Sequence, residues 1–271
     1  MNFKIGFTEN GYDNRIYTPE TVTKAETSPR KSIVKVHFTS RGQAWSYYND
    51  RFDLHKGDLV FVEGKLEGKR GIVVDVNYNF KIKISDYKRV ISIADTEVKG
   101  EVFFADSHLL AFDPTVIPYE KVSTWFKAPA DAEDEIVCGS DDSSFLLEEF
   151  DKQKIPFEIY HRGYDYYADD RVIYLSLDGD TGHAIVEGSE YYDVDFTYRN
   201  GEISALTCDC FCSYTCKHDV AVLLQLKDIL KTIEENYANK YEQSNYFAAV
   251  SKSEFYSMAV GRKEKGSIIL G

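Results

Sequence analysis

The apolar and polar positions fall into three stretches with different rhythms. In the first ninety residues the apolar runs are short and turn-bounded. Residues 33–38 are β-branched and apolar, residues 59–62 follow His55-Lys56-Gly57-Asp58, and residues 72–76 follow Glu67-Gly68-Lys69-Arg70-Gly71. Residues 80–84 alternate strictly between apolar side chains and Lys81 and Lys83, the period of a half-buried strand. Short strands with Gly-marked turns predict a small, strongly curved antiparallel sheet or barrel over residues 1–90. Residues 91–155 show only patches: apolar at 102–112, Pro118, Tyr119 and Trp125 within 117–126, then an acid-rich run. They read as an acidic connector ending in a short helix near 144–154.

From residue 156 the pattern sharpens. Apolar residues 172–177 lead into Asp178-Gly179-Asp180-Thr181-Gly182, and the strand resumes at 184–186. Glu187-Gly188-Ser189 breaks it, residues 191–198 alternate, and Arg199-Asn200-Gly201 turns into residues 203–207. Residues 219–236 place Val220, Leu223, Leu224, Leu226, Ile229, Leu230 and Ile233 on one broad helical face. The order is strands, a cysteine cluster, then a helix. The expected fold class is α+β: a basic β-rich domain at 1–90, a connector at 91–155, a β-hairpin-and-helix domain at 156–240 and a tail at 241–271. The apolar end of that tail, residues 250–270, reads as a segment able to dock on a partner.

Composition narrows the classes. With 43% hydrophobic residues in 271, the chain can bury a core. No apolar run approaches the ~18 residues of a membrane span. Residues 1–13 lack the basic-then-apolar layout of a secretory signal, so the expected location is the cytoplasm, with no membrane contact. The net charge of −13 opposes a protein that chiefly coats nucleic acid. That charge is uneven: residues 1–90 carry 16 Lys and Arg against 11 Asp and Glu, and residues 91–271 carry 16 against 34.

Four of the five cysteines, Cys208, Cys210, Cys212 and Cys216, lie within nine residues. Such clustering suits a metal in a reducing compartment better than a disulfide scaffold, which spreads its cysteines. Cys208-x-Cys210, five residues, then Cys216-x-His218 offers four soft or borderline ligands of the kind Zn²⁺ takes in a tetrahedron. Two would come from a strand end and two from the first turn of the next helix, whose positive end favours a thiolate at Cys216. With all four positions filled by protein, one Zn²⁺ would be structural. Cys212 reads as a spare, partly buried thiol, with substitution for one of the four ligands as the alternative. A redox thiol cluster and inert core cysteines are the competing readings.

With these residues in place, residues 156–236 resemble the SWIM zinc-finger domain. The likeness rests on Cys208-Asp209-Cys210 and Cys216-Lys217-His218, on the upstream Ala184-x-Val186-x-Gly188-Ser189-x-x-Tyr192-x-Val194, and on the apolar helix after His218. The chain departs from the pattern in carrying Cys212 and in having Phe211 where a Pro often follows the second Cys. The resemblance implies DNA binding, or interaction with DNA-dependent ATPases and recombination factors. Residues 57–76 also resemble the strand-turn-strand of small SH3-like or primosomal-helicase-type barrels.

Catalytic arrangements are not apparent, and the chain reads as a non-enzyme with no small-molecule substrate. His37, His55, His108, His161 and His183 adjoin no triad-like set. Asp178-x-Asp180 lacks the downstream calcium ligands, and Gly64, Gly68 and Gly71 precede no Gly-Lys-Ser/Thr. The remaining signal is basic. Lys65, Lys69, Arg70, Lys81, Lys83, Lys88 and Arg89 crowd 25 residues near Tyr47, Tyr48, Tyr78 and Tyr87, a pattern that suits phosphate contacts and base stacking. The opposing reading is a solvated sheet edge kept from aggregating by lysines. DNA, or a protein partner, is the expected ligand.

Overall fold

The computed structural model describes residues 3–4, 29–129, 139, 143–152, 154–212, 215–260 and 267–271. Most of the amino-terminal stretch, Cys138, and the acidic run of Asp131, Glu133, Asp134, Glu135, Asp141 and Asp142 lie outside the described residues. Two compact units form. One is Ile5–Ala94 with Lys127–Pro129, and the other is Asp95–Phe126 and Ala130–Gly271 with Met1–Lys4.

The first strand, β1 (Phe3–Lys4), belongs to the larger unit. The smaller unit holds β2 (Ser32–Phe38), β3 (Gln43–Asn49), β4 (Leu59–Val62), β5 (Gly71–Asn77) and β6 (Val90–Ile93), ordered β3-β2-β5-β4-β6 and antiparallel throughout. Alternation in β2 turns Val34, Val36 and Phe38 onto Leu54, Val60, Val62, Val73 and Val90, while Lys35 faces out. The sheet curls until its edges meet at one end, where Tyr48 N–H donates to the Lys88 carbonyl at 2.9 Å beside a Tyr48–Arg89 bridge. Residues 80–84 form no strand. Phe80 and Ile82 are half-buried and Lys81 and Lys83 exposed, but the segment pairs with no described strand and runs into a 3-10 turn at Ile84–Asp86, while β6 is the strand laddered to β4.

The larger unit is built on a ten-stranded sheet. Its elements are β7 (Lys99–Ala105), β8 (His108–Ala111), α1 (Tyr119–Phe126), β9 (Ser144–Leu146), α2 (Phe157–Ala168), β10 (Val172–Asp178), β11 (Thr181–Glu187), β12 (Tyr191–Arg199), β13 (Glu202–Cys208), α3 (Lys217–Asn236), α4 (Ala238–Ser244), β14 (Tyr246–Ser251), α5 (Lys252–Phe255) and β15 (Ser267–Leu270). The order is β1-β15-β7-β8-β14-β10-β11-β12-β13-β9, antiparallel except for the β15–β7 pair. Together the two sheets and five helices make a mixed α+β protein among the described residues.

Two segments lie deeper than their patterns suggest. Residues 95–126 are ordered structure: β7 and β8 join the sheet, and the fully buried Trp125 of α1 donates Nε1–H to the Asp95 carbonyl at 2.6 Å. Residues 246–251 form β14, buried at all six positions between β8 and β10, and Phe255 and Met258 beyond it are buried too. The apolar start of the expected tail is therefore spent inside the unit. The helix expected near 144–154 is instead β9 followed by a tight 3-10 turn at Leu147–Lys152, with Leu147 and Phe150 in the core.

α3 carries Val220, Leu223, Leu226, Ile229 and Ile233 against the core formed by β10, β11, β12 and β13. α2 packs on α3, with Gly163 at the contact. A Cβ there would sit 2.4 Å from the Val220 Cβ and 2.8 Å from the Lys217 carbonyl oxygen, so only glycine fits. That close approach lies beside the first turn of α3.

Candidate metal centre

Each ligand candidate is placed by a recognisable local device. Cys208 ends β13, opposite Val194 of β12. Asp209 continues the pairing: its N–H donates to the Asp193 carbonyl at 3.1 Å, and its carboxylate accepts the Asp193 N–H at 3.0 Å. The knuckle then bends back, with Cys210 N–H 3.5 Å from Cys208 Sγ and Cys212 N–H donating to the Cys210 carbonyl at 2.7 Å. Cys216 is the N-cap of α3. Its sulfur accepts the His218 N–H at 3.3 Å, and Asp219 Oδ2 reaches back to the Cys216 N–H at 2.7 Å, a reciprocal capping box.

These devices bring Cys208, Cys210, Cys216 and His218 together, with one ligand atom of each within 4.8 Å of every other. Among the described residues no other group of three or more His, Cys, Asp or Glu converges in this way. Cys208 Sγ lies 3.5 Å from His218 Nδ1. A tetrahedral ion with bonds of about 2.3 Å to sulfur and 2.0–2.1 Å to nitrogen has an S···N edge of roughly 3.6 Å. The donor set fits one metal ion. Cys212 is exposed and outside the cluster, and Phe211 beside it is fully exposed.

The imidazole of His218 is held on both sides. Tyr192 of β12 stacks on it at 4.3 Å between centroids and 19° from parallel, and Tyr166 of α2 contacts it at 5.5 Å. Its Nε2 is buried without a hydrogen-bond partner, near the Gly188 turn between β11 and β12. A Cβ on Gly188 would come within 2.9 Å of Tyr192 Cε2, so the stacked ring and the turn exclude a side chain there. His218 and Cys216 are each 3% exposed.

The electrostatics are those of a site short of positive charge. The Cys208 thiol donates to Cys216, which holds Cys216 well below and Cys208 well above the ordinary thiol range; burial adds to the rise at Cys208. His218 and the backbone N–H groups of the capping box further favour a Cys216 thiolate. Burial pushes the Asp219 carboxyl up to about 8, and the neighbouring Cys216 charge adds to it. Asp219 Oδ1 has no hydrogen-bond partner. A divalent cation on the sulfurs would offset this accumulated negative charge.

No family model, curated protein or solved structure matches this chain.

The basic residues lie in the smaller unit and do not form one patch of free charges. Lys65, Lys69, Lys81, Lys83 and Lys88 are exposed. Arg70 is half-buried, and Arg89 pairs with Asp50 at 2.5 Å while its guanidinium lies 5.2 Å from the Tyr48 ring centre. Tyr47 and Tyr48 are 6% and 3% exposed, which removes both as platforms for bases. Sequence reasoning passed over Trp45, which is 36% exposed on β3. Its position in an aromatic cluster, Trp45-Ser46-Tyr47-Tyr48, left no way to tell from the sequence which ring faces solvent. No helix of the described residues is long and apolar enough to cross a membrane.

Proposed function

We propose that this protein is a non-enzymatic, SWIM-like zinc protein of nucleic-acid metabolism, in which Cys208, Cys210, Cys216 and His218 hold one structural Zn²⁺. The observation that carries the reading is the convergence of these four donors, with the 3.5 Å Cys208–His218 separation, at a strand end and a helix N-cap. Bound there, zinc supplies a cross-link between β13 and α3 and, with four protein donors, offers no open position for water. The chain's own residues do the rest. The capping box fixes Cys216, the Asp193–Asp209 bonds fix the knuckle, and Tyr192 fixes the imidazole.

DNA contact falls to the smaller unit, where residues 29–94 carry 13 Lys and Arg against 7 Asp and Glu. The acidic larger unit is poorly suited to grip phosphates by bulk charge. A titration of the full chain with DNA across salt concentrations tests this, because contact through several Lys and Arg must weaken steeply as salt rises. Absence of binding at low salt rejects it. A second reading, an adaptor recruiting a DNA-dependent ATPase or recombination factor, is favoured by the exposed aromatics Phe157 and Tyr164 on α2, 78% and 50% exposed, and by Phe211 on the knuckle. Under that reading Phe157→Ala weakens partner capture and leaves the metal in place.

A further inference from the structure

The smaller unit is a barrel closed at one end only. β3 is paired with β2 along its whole length, but its outer edge meets the opposite side of the sheet only at Tyr48. At residues 43–46 that edge pairs with no other described strand, and all four residues are exposed. The open seam leads into a groove of about 770 Å³ between β3, the β4–β5 turn and the segment before β6.

The groove combines two chemistries. Trp45 lies along it, 36% exposed, and leans on the fully buried Phe38 at 5.9 Å between ring centres. Its platform is thus supported from within the barrel while part of the indole faces the groove. Around it stand Arg41, Lys65 and Lys88, which make no ion pair among the described residues. The two carboxylates that also line the groove are engaged locally: Glu63 Oε2 accepts the Arg89 N–H at 3.0 Å, and Asp86 Oδ1 accepts the Ser85 hydroxyl at 3.3 Å. A supported aromatic face beside three exposed cations matches a strand with phosphates and free base faces. A duplex keeps its bases stacked inside and offers the indole nothing to stack on. An extended peptide would answer the free β3 edge but leave the indole and three cations less fully used.

We infer that this open seam is a site for single-stranded nucleic acid, with Trp45 stacking on an unpaired base and Arg41, Lys65 and Lys88 contacting its phosphates. The inference rests on the proposed nucleic-acid role and specifies its site and ligand class.

The chain has two tryptophans, and Trp125 is fully buried, so quenching of intrinsic fluorescence reports on Trp45. The full chain is titrated at low salt with an unpaired thymidine oligonucleotide of roughly 12 residues, and with a matched duplex. The expected result is quenching by the oligonucleotide, tighter binding to it than to the duplex, and a loss of at least about fivefold in Trp45→Ala that Trp45→Phe largely restores, read by anisotropy of a labelled oligonucleotide. Arg41→Glu should weaken binding and flatten its salt dependence. Preference for duplex, or full affinity in Trp45→Ala with its fold intact by circular dichroism, overturns the inference and leaves the broader DNA role standing. No binding to either nucleic acid overturns both. Quenching of Trp45 by an acidic peptide but not by the oligonucleotide reassigns the seam to a protein partner and overturns the inference.

Discussion

Tyr192 lies flat on the imidazole of His218, with ring centroids 4.3 Å apart and planes within 19° of parallel. The two residues come from different elements, a strand of the large sheet and the first turn of α3, so the stack locks the histidine to the hairpin as well as to its own helix. Aromatic pairs of this kind contribute about 0.5–1.5 kcal/mol beyond their buried area. Tyr192→Ala is therefore expected to weaken metal affinity roughly 2- to 10-fold in competition with a chromogenic chelator, and Tyr192→Phe to leave it nearly unchanged. Equal affinity in the alanine variant would show that His218 needs no support from β12.

The α2–α3 crossing carries a second consequence. Because a Cβ at Gly163 would overlap Val220 at 2.4 Å, Gly163→Ala must push α2 away from the helix that bears Cys216 and His218. Overpacking of this type costs about 1–3 kcal/mol. The urea midpoint of the full chain should fall accordingly. A midpoint at or above that of the parent would mean the helices adjust without cost.

Acid stability should depend on His108. It is fully buried in β8, with Nε2–H donating to the Val172 carbonyl at 2.7 Å and Nδ1 accepting from the Ser107 hydroxyl at 3.0 Å. Burial lowers its pKa, assisted by Lys252 and opposed by the Val172 bond, Asp170 and Asp106. The folded state thus holds it neutral where the unfolded chain would protonate it. Its contribution is intact above the unfolded pKa of about 6.5 and is lost as pH falls below that value, at no more than about 1.4 kcal/mol per pH unit. Urea midpoints between pH 7 and pH 5 should therefore fall more steeply in the parent than in His108→Gln. Identical slopes would contradict this.

His183 runs the opposite way. Its Nδ1 lies 2.7 Å from Asp195 Oδ1 across the β11–β12 pair, with Tyr119 stacked on the ring at 4.7 Å. Asp195 raises its pKa, against partial burial. That stabilisation is complete below the unfolded histidine pKa and disappears as pH rises through the higher folded one. With the side chain 32% exposed and its partner 55% exposed, the effect is small. Asp195→Asn should lower the His183 pKa in a proton NMR titration, and an unchanged pKa would contradict the pairing.

What could be read from the sequence was local, and what could not was long-range. The turns at Asp178-Gly179 and Arg199-Asn200-Gly201 mark β10 to β13 because short hairpins are written in adjacent residues. The Cys and His spacing likewise names the four donors that converge, since strand end and helix start are both local features. β14 was hidden because a six-residue apolar run is ambiguous alone, and its partners β8 and β10 lie far away in the chain. Residues 80–84 failed in the reverse sense: their alternation suits a strand, but alternation does not report which segment joins the sheet, and β6 is the one laddered to β4. α2 escaped notice because its glycine, Gly163, argues against a helix until the contact with Val220 explains it.

Metal removal should act on the fold. Because ligand binding and folding are coupled in such centres, a strong chelator is expected to lower the thermal unfolding temperature of the larger unit, and added zinc to restore it. No shift on complete metal removal would mean that the packed face of α3 alone holds that end of the unit together.

The central claim is that Cys208, Cys210, Cys216 and His218, and not Cys212, hold one metal ion. Elemental analysis of the purified full chain beside Cys208→Ser, His218→Ala and Cys212→Ser, each with its fold checked by circular dichroism, tests it most directly. The account predicts one zinc per chain in the parent and in Cys212→Ser, and loss of zinc in the other two. A folded parent without metal, or zinc that disappears in Cys212→Ser and persists in His218→Ala, would contradict it.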